Sequence, residues 1–161
     1  MPSAQFPLPE ESLQPQWHIT QQWGPIEIRH ARQTCQDEGS AEAWRYPDEH
    51  TLGLFLSPRP FKFIHWQDGQ SHTGLYQKGD LLVTPAKMKL ATQAEGDVHI
   101  MQIRLQDSFL RQVAAETLEI ESDRVELIAS FQTRDAQIEA IATLLLTELH
   151  QASSGTRLYT D

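Results

Sequence analysis

The sequence has a single cysteine, Cys35, and therefore lacks a second thiol for an internal disulfide. A lone thiol is typical of a reducing compartment, and no neighbour in the sequence suggests that it is activated as a nucleophile. A long apolar run and a leader with a basic start and an apolar centre are also missing, which argues against a membrane span and a signal peptide. We therefore expect a cytoplasmic chain without membrane contact.

Basic residues are few, because 13 lysines and arginines stand against 22 aspartates and glutamates, for a formal net charge of -9. Phosphate contacts need a clustered basic surface, so we expect no nucleic-acid binding by this segment itself. The sequence also contains no Gly-x-Ser-x-Gly elbow, no phosphate-binding glycine loop and no paired-cysteine motif. We therefore predict no catalytic residues, no metal and no cofactor in one domain of 161 residues.

The central part of the chain is a series of short apolar segments separated by turn residues. In its middle, a Gly79-Asp80 turn leads into the apolar residues 81–84, which Pro85 closes. Closely spaced strands of this kind indicate a jelly-roll barrel. The predicted strands cover residues 26–31, 50–57, 61–66, 73–77, 81–84, 88–93 and 97–105, with loops at residues 33–42, 57–60 and 95–97.

Three histidines, His50, His65 and His99, fall on the predicted inward faces of these strands, near strand ends. If residues 57–60 form a hairpin loop, Leu54 lies opposite Phe63 and the apolar faces coincide. The histidines are then hydrogen-bonded rim residues, the polar part of a ligand pocket, or metal ligands. The candidate ligand pocket consists of His50, Leu54, Phe63, His65, Tyr76, His99 and Met101.

The amino-terminal residues 1–16 contain several prolines and predict a flexible arm. Three large apolar residues follow, Trp17, Ile19 and Trp23, in a polar neighbourhood. We expect them to dock on the outer surface of the barrel or over its mouth. Trp17 and Trp23 are therefore candidate lid residues.

After residue 105 the apolar period changes from two to about 3.6, which predicts two helices. Asp107 or Ser108 is the expected cap of the first helix, an extended piece follows at residues 123–130, and Asp135 is the expected cap of the second helix, which residues 153–155 should end. The wide apolar stripe of the second helix packs on the barrel and the first helix, or pairs two subunits. The candidate dimer residues are Ile138, Ile141, Ala142, Leu145 and Leu149.

Three stretches of the sequence together resemble the amino-terminal half of an AraC-type transcriptional regulator. They are KGDLLVTP at residues 78–85, IRL and DSFL at residues 103–110, and the leucine-rich helix followed by GTRLY at residues 155–159. The resemblance covers residues 17–161. In that family, the amino-terminal domain is similar to a cupin barrel, senses a small molecule and mediates dimerisation, while a separate carboxy-terminal domain with two helix-turn-helix units reads DNA.

The resemblance implies a mainly β fold with trailing helices: a cupin-like jelly-roll barrel followed by two α-helices. It also implies a small-molecule effector, a homodimer formed through the carboxy-terminal helix, and DNA binding only through a domain that is missing from this chain. The expected divisions are an arm at 1–16, a barrel at 17–106, a helical dimerisation segment at 107–152 and the start of a linker at 153–161.

The alternative is a metal-dependent cupin enzyme of the isomerase or dioxygenase type. Such enzymes have a His-x-His motif, which is missing here, and a later Gly-x5-Pro-x-Gly-x2-His motif. Gly79 and Pro85 match that second motif, but Lys87 replaces its second glycine and Leu90 stands in the place of its histidine. Leucine has no lone pair for a metal ion, so we expect a barrel that keeps the turn and lacks the metal.

Overall fold

The computed structural model describes residues 19–35, 42–44 and 46–159. Within this part, the chain forms antiparallel strands in two packed sheets, and two α-helices follow the long eighth strand. The elements are β1 Ile19–Trp23, β2 Ile26–Cys35, β3 Glu42–Trp44, β4 Glu49–Phe55, β5 Phe61–Gln67, β6 Gln70–Tyr76, β7 Leu81–Thr84, β8 Leu90–Gln106, α1 Asp107–Leu118, a 3-10 helix Ser122–Arg124, β9 Ser130–Thr133 and α2 Ala136–Tyr159.

The fold-class prediction, a mainly β domain of the jelly-roll kind followed by two α-helices, is confirmed. The predicted turn at Gly79-Asp80 is also present: Gly79 has a φ of +94°, which favours glycine, and the Asp80 carboxylate accepts a hydrogen bond from the Gln77 N–H at 2.9 Å. The expected arm at residues 1–16 and the candidate lid residue Trp17 lie outside the described residues.

The long strand β8 belongs to both sheets. Its residues 96–106 pair with β2 and β4 in the first sheet, which also contains β1, β7 and β9. Its residues 90–95 pair with β5 in the second sheet, together with β3 and β6. The prediction of two strands separated by a turn at residues 95–97 is therefore wrong, because Gly96, with a φ of +115°, lets the strand bend between the sheets without reversing.

The predicted hairpin between residues 50–57 and 61–66 is also wrong. β4 pairs with β7 and β8, whereas β5 pairs with β6 and β8, so Leu54 does not lie opposite Phe63. The segment between β4 and β5 instead carries the chain from the first sheet to the second, and its Pro58 and Pro60 have no N–H for a hairpin ladder. The two predicted apolar faces do not meet, because Leu54 clusters with Met101 and Ala142, whereas Phe63 clusters with Phe55 and Tyr76.

Three further boundaries differ from the sequence analysis. β1 forms where only docking apolar groups were expected, because Ile19–Trp23 pairs with β2. β2 extends to Cys35, into the loop predicted from residue 33. After α1, residues 123 and 124 of the predicted extended piece belong to the 3-10 helix, the chain is extended at Val125, and β9 at Ser130–Thr133 pairs with β7 at the edge of the first sheet.

Two hydrophobic clusters hold these layers together. The inner cluster lies between the sheets and the outer cluster lies between the first sheet and α2, so the first sheet is buried on both faces. The buried members of the inner cluster are Phe55, Phe61, Phe63, Tyr76, Leu82 and Val98. Those of the outer cluster are Ile28, Leu54, Leu81, Val83, Met101, Ile103, Ala142 and Leu149.

The helix ends agree with the sequence in one of three places. The Asp135 carboxylate accepts hydrogen bonds from the Gln137 and Ile138 N–H groups, both at 3.0 Å, so the predicted cap of α2 is confirmed. The N-cap residue of α1 is Gln106, and its side chain makes no capping hydrogen bond. The predicted cap Asp107 does not act as one, because it is the first helical residue and its carboxylate binds His50. The predicted stop at residues 153–155 is wrong, since α2 continues to Tyr159. No helix in the described ranges is long and apolar enough to cross a membrane.

Burial of α2 on the first sheet can be tested with two leucines of the same helix. Leu149 is 1% exposed in the outer cluster, whereas Leu144 is 68% exposed. We expect Leu149→Ala to lower the free energy of unfolding by about 2 to 5 kcal/mol, because it leaves a cavity. At a protein concentration at which the chain is monomeric, Leu144→Ala should change it by less than about 0.5 kcal/mol. Urea unfolding measures both, and equal effects would contradict this packing.

Candidate ligand site between the two sheets

The inner face of the first sheet is apolar at one end and polar at the other. At the apolar end, Phe55, Phe61, Phe63 and Tyr76 pack with ring centroids 4.9–6.2 Å apart. The Tyr76 hydroxyl donates to the Phe131 carbonyl of β9 at 2.8 Å, and burial raises the pKa of Tyr76. The ring contacts make this end an aromatic core, in which the Tyr76 hydroxyl is already hydrogen bonded within the protein.

The polar end is built by strand register. Thr84 lies opposite Thr51, Thr51 opposite Arg104, and Arg104 opposite Glu27, so one row of polar side chains crosses β7, β4, β8 and β2. Side chains of directly opposed residues share a face, and these residues alternate with those that pack under α2. Gln102 belongs to the neighbouring row on the same inner face. Four strands of the first sheet therefore supply the polar side chains at this end.

The second sheet contributes Gln67 and His65 to the polar end. The Gln67 amide nitrogen donates to the Val83 carbonyl at 3.1 Å and to the Thr84 hydroxyl at 3.3 Å. It also lies 3.3 Å from His65 Nε2. Because an amide NH2 group cannot accept, His65 Nε2 must be the acceptor and the ring proton must lie on Nδ1. Gln67 thus joins the two sheets and fixes the tautomer of His65.

Burial keeps His65 neutral. Removal of the ring from water lowers the pKa of His65 from 6.5 to about 3, and the nearby His72 lowers it further as a second cause. The ring is also packed edge-on against Phe131, with centroids 5.2 Å apart. At neutral pH, His65 is therefore a neutral hydrogen-bonding group that offers a donor at Nδ1.

The charged groups at this end balance one another. Arg104 contacts the carboxylates of Glu49 at 2.7 Å and Glu27 at 3.5 Å, and the Arg29 side chain also donates to Glu27. The Arg104 guanidinium carbon lies 4.0 Å from the centre of the Tyr46 ring, and burial raises the pKa of the Tyr46 hydroxyl. Two arginines and two glutamates therefore meet with no net charge.

Four buried polar atoms at this end have no hydrogen-bond partner in the described part of the chain. They are His65 Nδ1, Gln67 Oε1, Gln102 Oε1 and Arg104 Nε. Their side chains belong to residues that are 0%, 3%, 3% and 9% exposed, respectively. Buried polar groups are nearly always paired, so a group of four unpaired atoms marks a candidate binding site.

The structure divides the predicted pocket between two faces. Phe63, His65 and Tyr76 lie on the inner side, but Leu54 and Met101 belong to the outer cluster beneath α2. His50 and His99, by strand alternation, lie on that outer side too. The expectation of one shared inward face is therefore wrong for β4 and β8, because alternation cannot tell which of two buried faces points inside.

The two misplaced histidines have other partners. His50 Nδ1 accepts from the Ala86 N–H at 2.9 Å, and His50 Nε2 donates to Asp107 at 2.8 Å. A hydrogen bond from Arg111 at 2.8 Å is the main cause that lowers the pKa of Asp107, and His50 adds to it. His50 therefore joins β4 to α1 beside a groove of about 430 Å³. His99 contacts His30 through their Nε2 atoms.

Two other sets of predicted residues also have places in the structure. Trp23 packs against the outer cluster, which agrees with docking on the outer surface and not with a lid over the interior. Among the candidate dimer residues, Ala142 and Leu149 are buried in that cluster, and Ile138 and Leu145 pack against it. The stripe named for dimerisation therefore mainly attaches α2 to its own sheet, and Ile141, 58% exposed, is the exception.

The sequence analysis did not find Thr51, Gln67, Thr84, Gln102 or Arg104. Polar residues that alternate with apolar ones usually lie on the solvent-facing side of a strand, so their polarity alone gave no indication of burial. One indication was present in the sequence. Val98 and Ile100 lie on the same strand face as Gln102 and Arg104, and apolar residues on both faces of a strand indicate that both faces are buried.

Cupin enzymes bind a metal through side chains that this site does not supply. Lys87, in the place of the motif's second glycine, has a φ of +71°, a left-handed conformation that favours glycine. Leu90, in the place of the motif's histidine, is 1% exposed and offers no lone pair. The described ranges contain no group of three His, Cys, Asp or Glu side chains arranged to hold a metal ion. The residues at the motif positions therefore do not provide the ligands that a cupin enzyme uses to bind its metal ion.

Several solved structures of cupins are similar to this chain. A cupin superfamily protein from Desulfitobacterium hafniense is 18% identical, with a TM-score of 0.45, over 62% of this chain and 84% of that one. A cupin-2 domain containing protein from Shewanella frigidimarina is 12% identical, with a TM-score of 0.42, over 60% and 83%. At these identities the likeness concerns the fold alone.

A putative ethanolamine utilization protein Q from Salmonella typhimurium is 6% identical, with a TM-score of 0.39, over 52% of this chain. The matched part spans 59% of that protein, which is less than two thirds of its length. No protein-family model matches the sequence, and no curated protein sequence matches it.

The lowered pKa of His65 predicts a specific dependence of stability on pH. The folded state keeps His65 neutral down to about pH 3, whereas the unfolded chain binds a proton below about pH 6.5. The unfolded state therefore binds more protons in this window, and stability falls as the pH drops. We expect the free energy of unfolding to fall by about 2 kcal/mol between pH 7 and pH 5 because of His65.

The measurement is urea unfolding at both pH values for the wild type, His65→Gln and, as a control for losing an imidazole, His150→Gln. His150 is exposed on α2. The wild type and the control should lose more stability than His65→Gln does. If all three lose the same amount, His65 is not held neutral by the interior.

Proposed function

We propose that this chain is the effector-sensing and dimerisation domain of an AraC-type transcriptional regulator, located in the cytoplasm. The observation that carries the proposal is the interior site, where His65, Gln67, Gln102 and Arg104 present unpaired polar atoms inside a closed β domain. A pocket that is mostly apolar with a few placed polar groups suits small-molecule recognition. DNA binding would belong to a separate domain of the parent protein.

The chemistry of the interior favours binding over catalysis. The unpaired groups are two amide oxygens, a neutral imidazole and a guanidinium that is already paired with Glu27 and Glu49. Within the described ranges, His65 Nε2 contacts an amide nitrogen of Gln67 and not a hydroxyl or thiol that it would activate. A site of this composition orients and holds a ligand.

The sheet also offers a route from the interior to α2. Residues of β8 alternate between the two faces, so Gln102 and Arg104 line the site while Met101 and Ile103 pack in the outer cluster with α2. A ligand that binds one arrangement of these strands better than another will favour the α2 position that goes with it. The effector would act on the dimer through this shared sheet.

The dimer contact is expected on the outward side of α2. Ile141 and Leu144 are 58% and 68% exposed, and they lie three residues apart, on neighbouring turns of one helix face. Exposed apolar side chains on the helix that covers the sheet suit a self-complementary contact between two copies. We expect these two residues at the centre of the interface, because Leu145 and Leu149 of the candidate dimer set pack on the sheet of their own chain.

The dimer proposal is tested with one double variant and one matched control. We expect Ile141→Glu with Leu144→Glu to convert a dimer into a monomer, because two buried charges would face each other across the two-fold axis. Ile128→Glu, at an isoleucine that is 81% exposed in the segment before β9, should leave the dimer intact. Sedimentation velocity measures the mass, and a monomeric wild type would refute the proposed dimer.

Metal analysis of the purified chain separates the sensor from the metal-dependent cupin enzyme, of the isomerase or dioxygenase type. We expect far less than one metal ion per chain, because Leu90 occupies the place of the motif's histidine. Elemental analysis after purification without chelators gives the ratio, and the same chain incubated with zinc, iron or manganese and then desalted is the control. One retained ion per chain in either sample would favour the enzyme.

A further inference from the structure

The helix α1 contributes little to the core of the domain. Of its 12 residues, only Ala114 is buried, and no residue of α1 belongs to either hydrophobic cluster of the described chain. Val113 and Leu118 are instead 38% and 64% exposed. Apolar side chains of a surface helix usually face the core. This helix therefore has apolar surface that the described part of the domain leaves uncovered.

The segment after α1 has the same character. The Arg111 side chain donates to the Ser122 carbonyl, so this segment folds back beside the helix. Ile120 is 39% exposed, and Ile128 is 81% exposed, the highest value among the large apolar residues of the described chain. We call residues 107–129, which include α1, the α1 lobe. It contains four of the seven large apolar residues that are exposed in the described chain, so exposed apolar groups are concentrated here.

A groove of about 430 Å³ lies between the α1 lobe and the turn that follows β7. Its polar residues are bonded to one another. His50 Nδ1 accepts from the Ala86 N–H, His50 Nε2 donates to Asp107, and Asp107 accepts from Arg111. An occupant would therefore be held mainly by the apolar part of the wall. That part consists of Pro85, Met88, Val125, Leu127, Ile128 and Ala129.

The α1 lobe is also strongly acidic. It has six acidic and two basic side chains, a formal balance of -4 within a chain of -9. Both arginines are engaged by carboxylates of the lobe itself, Arg111 by Asp107 and Arg124 by Glu121. The other four carboxylates are exposed and have no basic partner among the described residues, so they favour a basic occupant. They belong to Glu116, Glu119, Asp123 and Glu126.

Apolar exposure together with negative charge argues against three other occupants. Nucleic acids and anionic lipid surfaces are bound through lysines and arginines, whereas the lobe has an excess of carboxylates. A second copy of the lobe would bring like charges together across the contact, which is unfavourable. A basic polypeptide segment with apolar side chains matches both features, because its charges face the carboxylates while its apolar groups enter the groove.

We propose that the α1 lobe docks a protein partner through a basic segment that carries apolar side chains. An apolar side chain of the partner fills the groove beside Ile128, and its lysines or arginines pair with Asp123 and Glu126. Protein interfaces commonly combine a buried apolar centre with a polar rim in this way. The contact uses none of the residues of the interior site or of the proposed dimer contact, so it does not depend on the sensory function.

The test begins with phage display of short random peptides on the immobilised full chain. The enriched peptides are synthesised with a fluorescent label and titrated by fluorescence anisotropy. The key variant is Ile128→Ser, which removes apolar contact at the groove. Leu75→Ser is its matched control, because Leu75 is 69% exposed on β6.

A second pair of variants tests the charges of the lobe. Asp123→Asn with Glu126→Gln removes two exposed carboxylates of the lobe, and Glu95→Gln with Glu148→Gln removes two exposed carboxylates elsewhere. Both double variants have the same net charge, so a non-specific attraction of basic peptides to an acidic protein weakens equally in both. Thermal unfolding of every variant without peptide checks the fold.

We expect the enriched peptides to be rich in lysine or arginine and in apolar residues. Their affinity should fall about tenfold for Ile128→Ser, because the apolar centre of the contact is lost. It should fall about threefold or more for Asp123→Asn with Glu126→Gln at low salt, and the difference should shrink at high salt. Both controls should bind as the wild type does, apart from the shared loss of net charge.

Three results would overturn the proposal. Enriched peptides that are acidic, or that have no apolar residues, would contradict the chemistry of the partner. Peptides that bind Ile128→Ser and the double variant of the lobe as tightly as the matched controls would contradict the location. If no peptide is enriched on the wild type, the lobe is not a docking surface for a segment of this kind.

Discussion

Burial of the first sheet on both faces is the constraint on which the rest of the structure depends. Antiparallel sheets commonly keep one face in water, but here α2 covers one face and the second sheet covers the other. The strands β4, β7 and β8 must therefore supply suitable side chains on both sides. On the α2 side these are mainly aliphatic groups, with His50 and His99 among them, and on the inner side they change from aromatic at one end to polar at the other. The interior site exists because this polar end is covered as well.

The sequence predicted the parts of the fold that local chemistry determines. The Gly79-Asp80 turn and the cap at Asp135 depend on residues within a few positions, and both are present. The prediction of a hairpin after β4 was wrong, because a short loop with prolines can also connect two sheets. The prediction of a turn at Gly96 was wrong, because a glycine with positive φ permits a bend in a strand as readily as a reversal of the chain. In both places, the decisive partner lies far away in the sequence.

The candidate site was only partly accessible from the sequence. Phe63, His65 and Tyr76 were assigned to the interior, where the structure places them, whereas Leu54 and Met101 were assigned there and pack under α2. A period of two divides a strand into two faces without saying which one points inward. The width of the apolar stripe on α2 contained the missing information, because a helix with so many inward leucines needs an apolar sheet face of its own.

The alternation along β8 also has a consequence for how such a domain diverges during evolution. Positions 101 and 103 serve the attachment of α2, whereas positions 100, 102 and 104 serve the interior. Under the proposed sensory function, substitutions at the even positions would change what the interior recognises, while the odd positions would preserve the packing of α2. Related proteins would then acquire new specificities by drift at every second residue of one strand, with the attachment of the helix inherited unchanged.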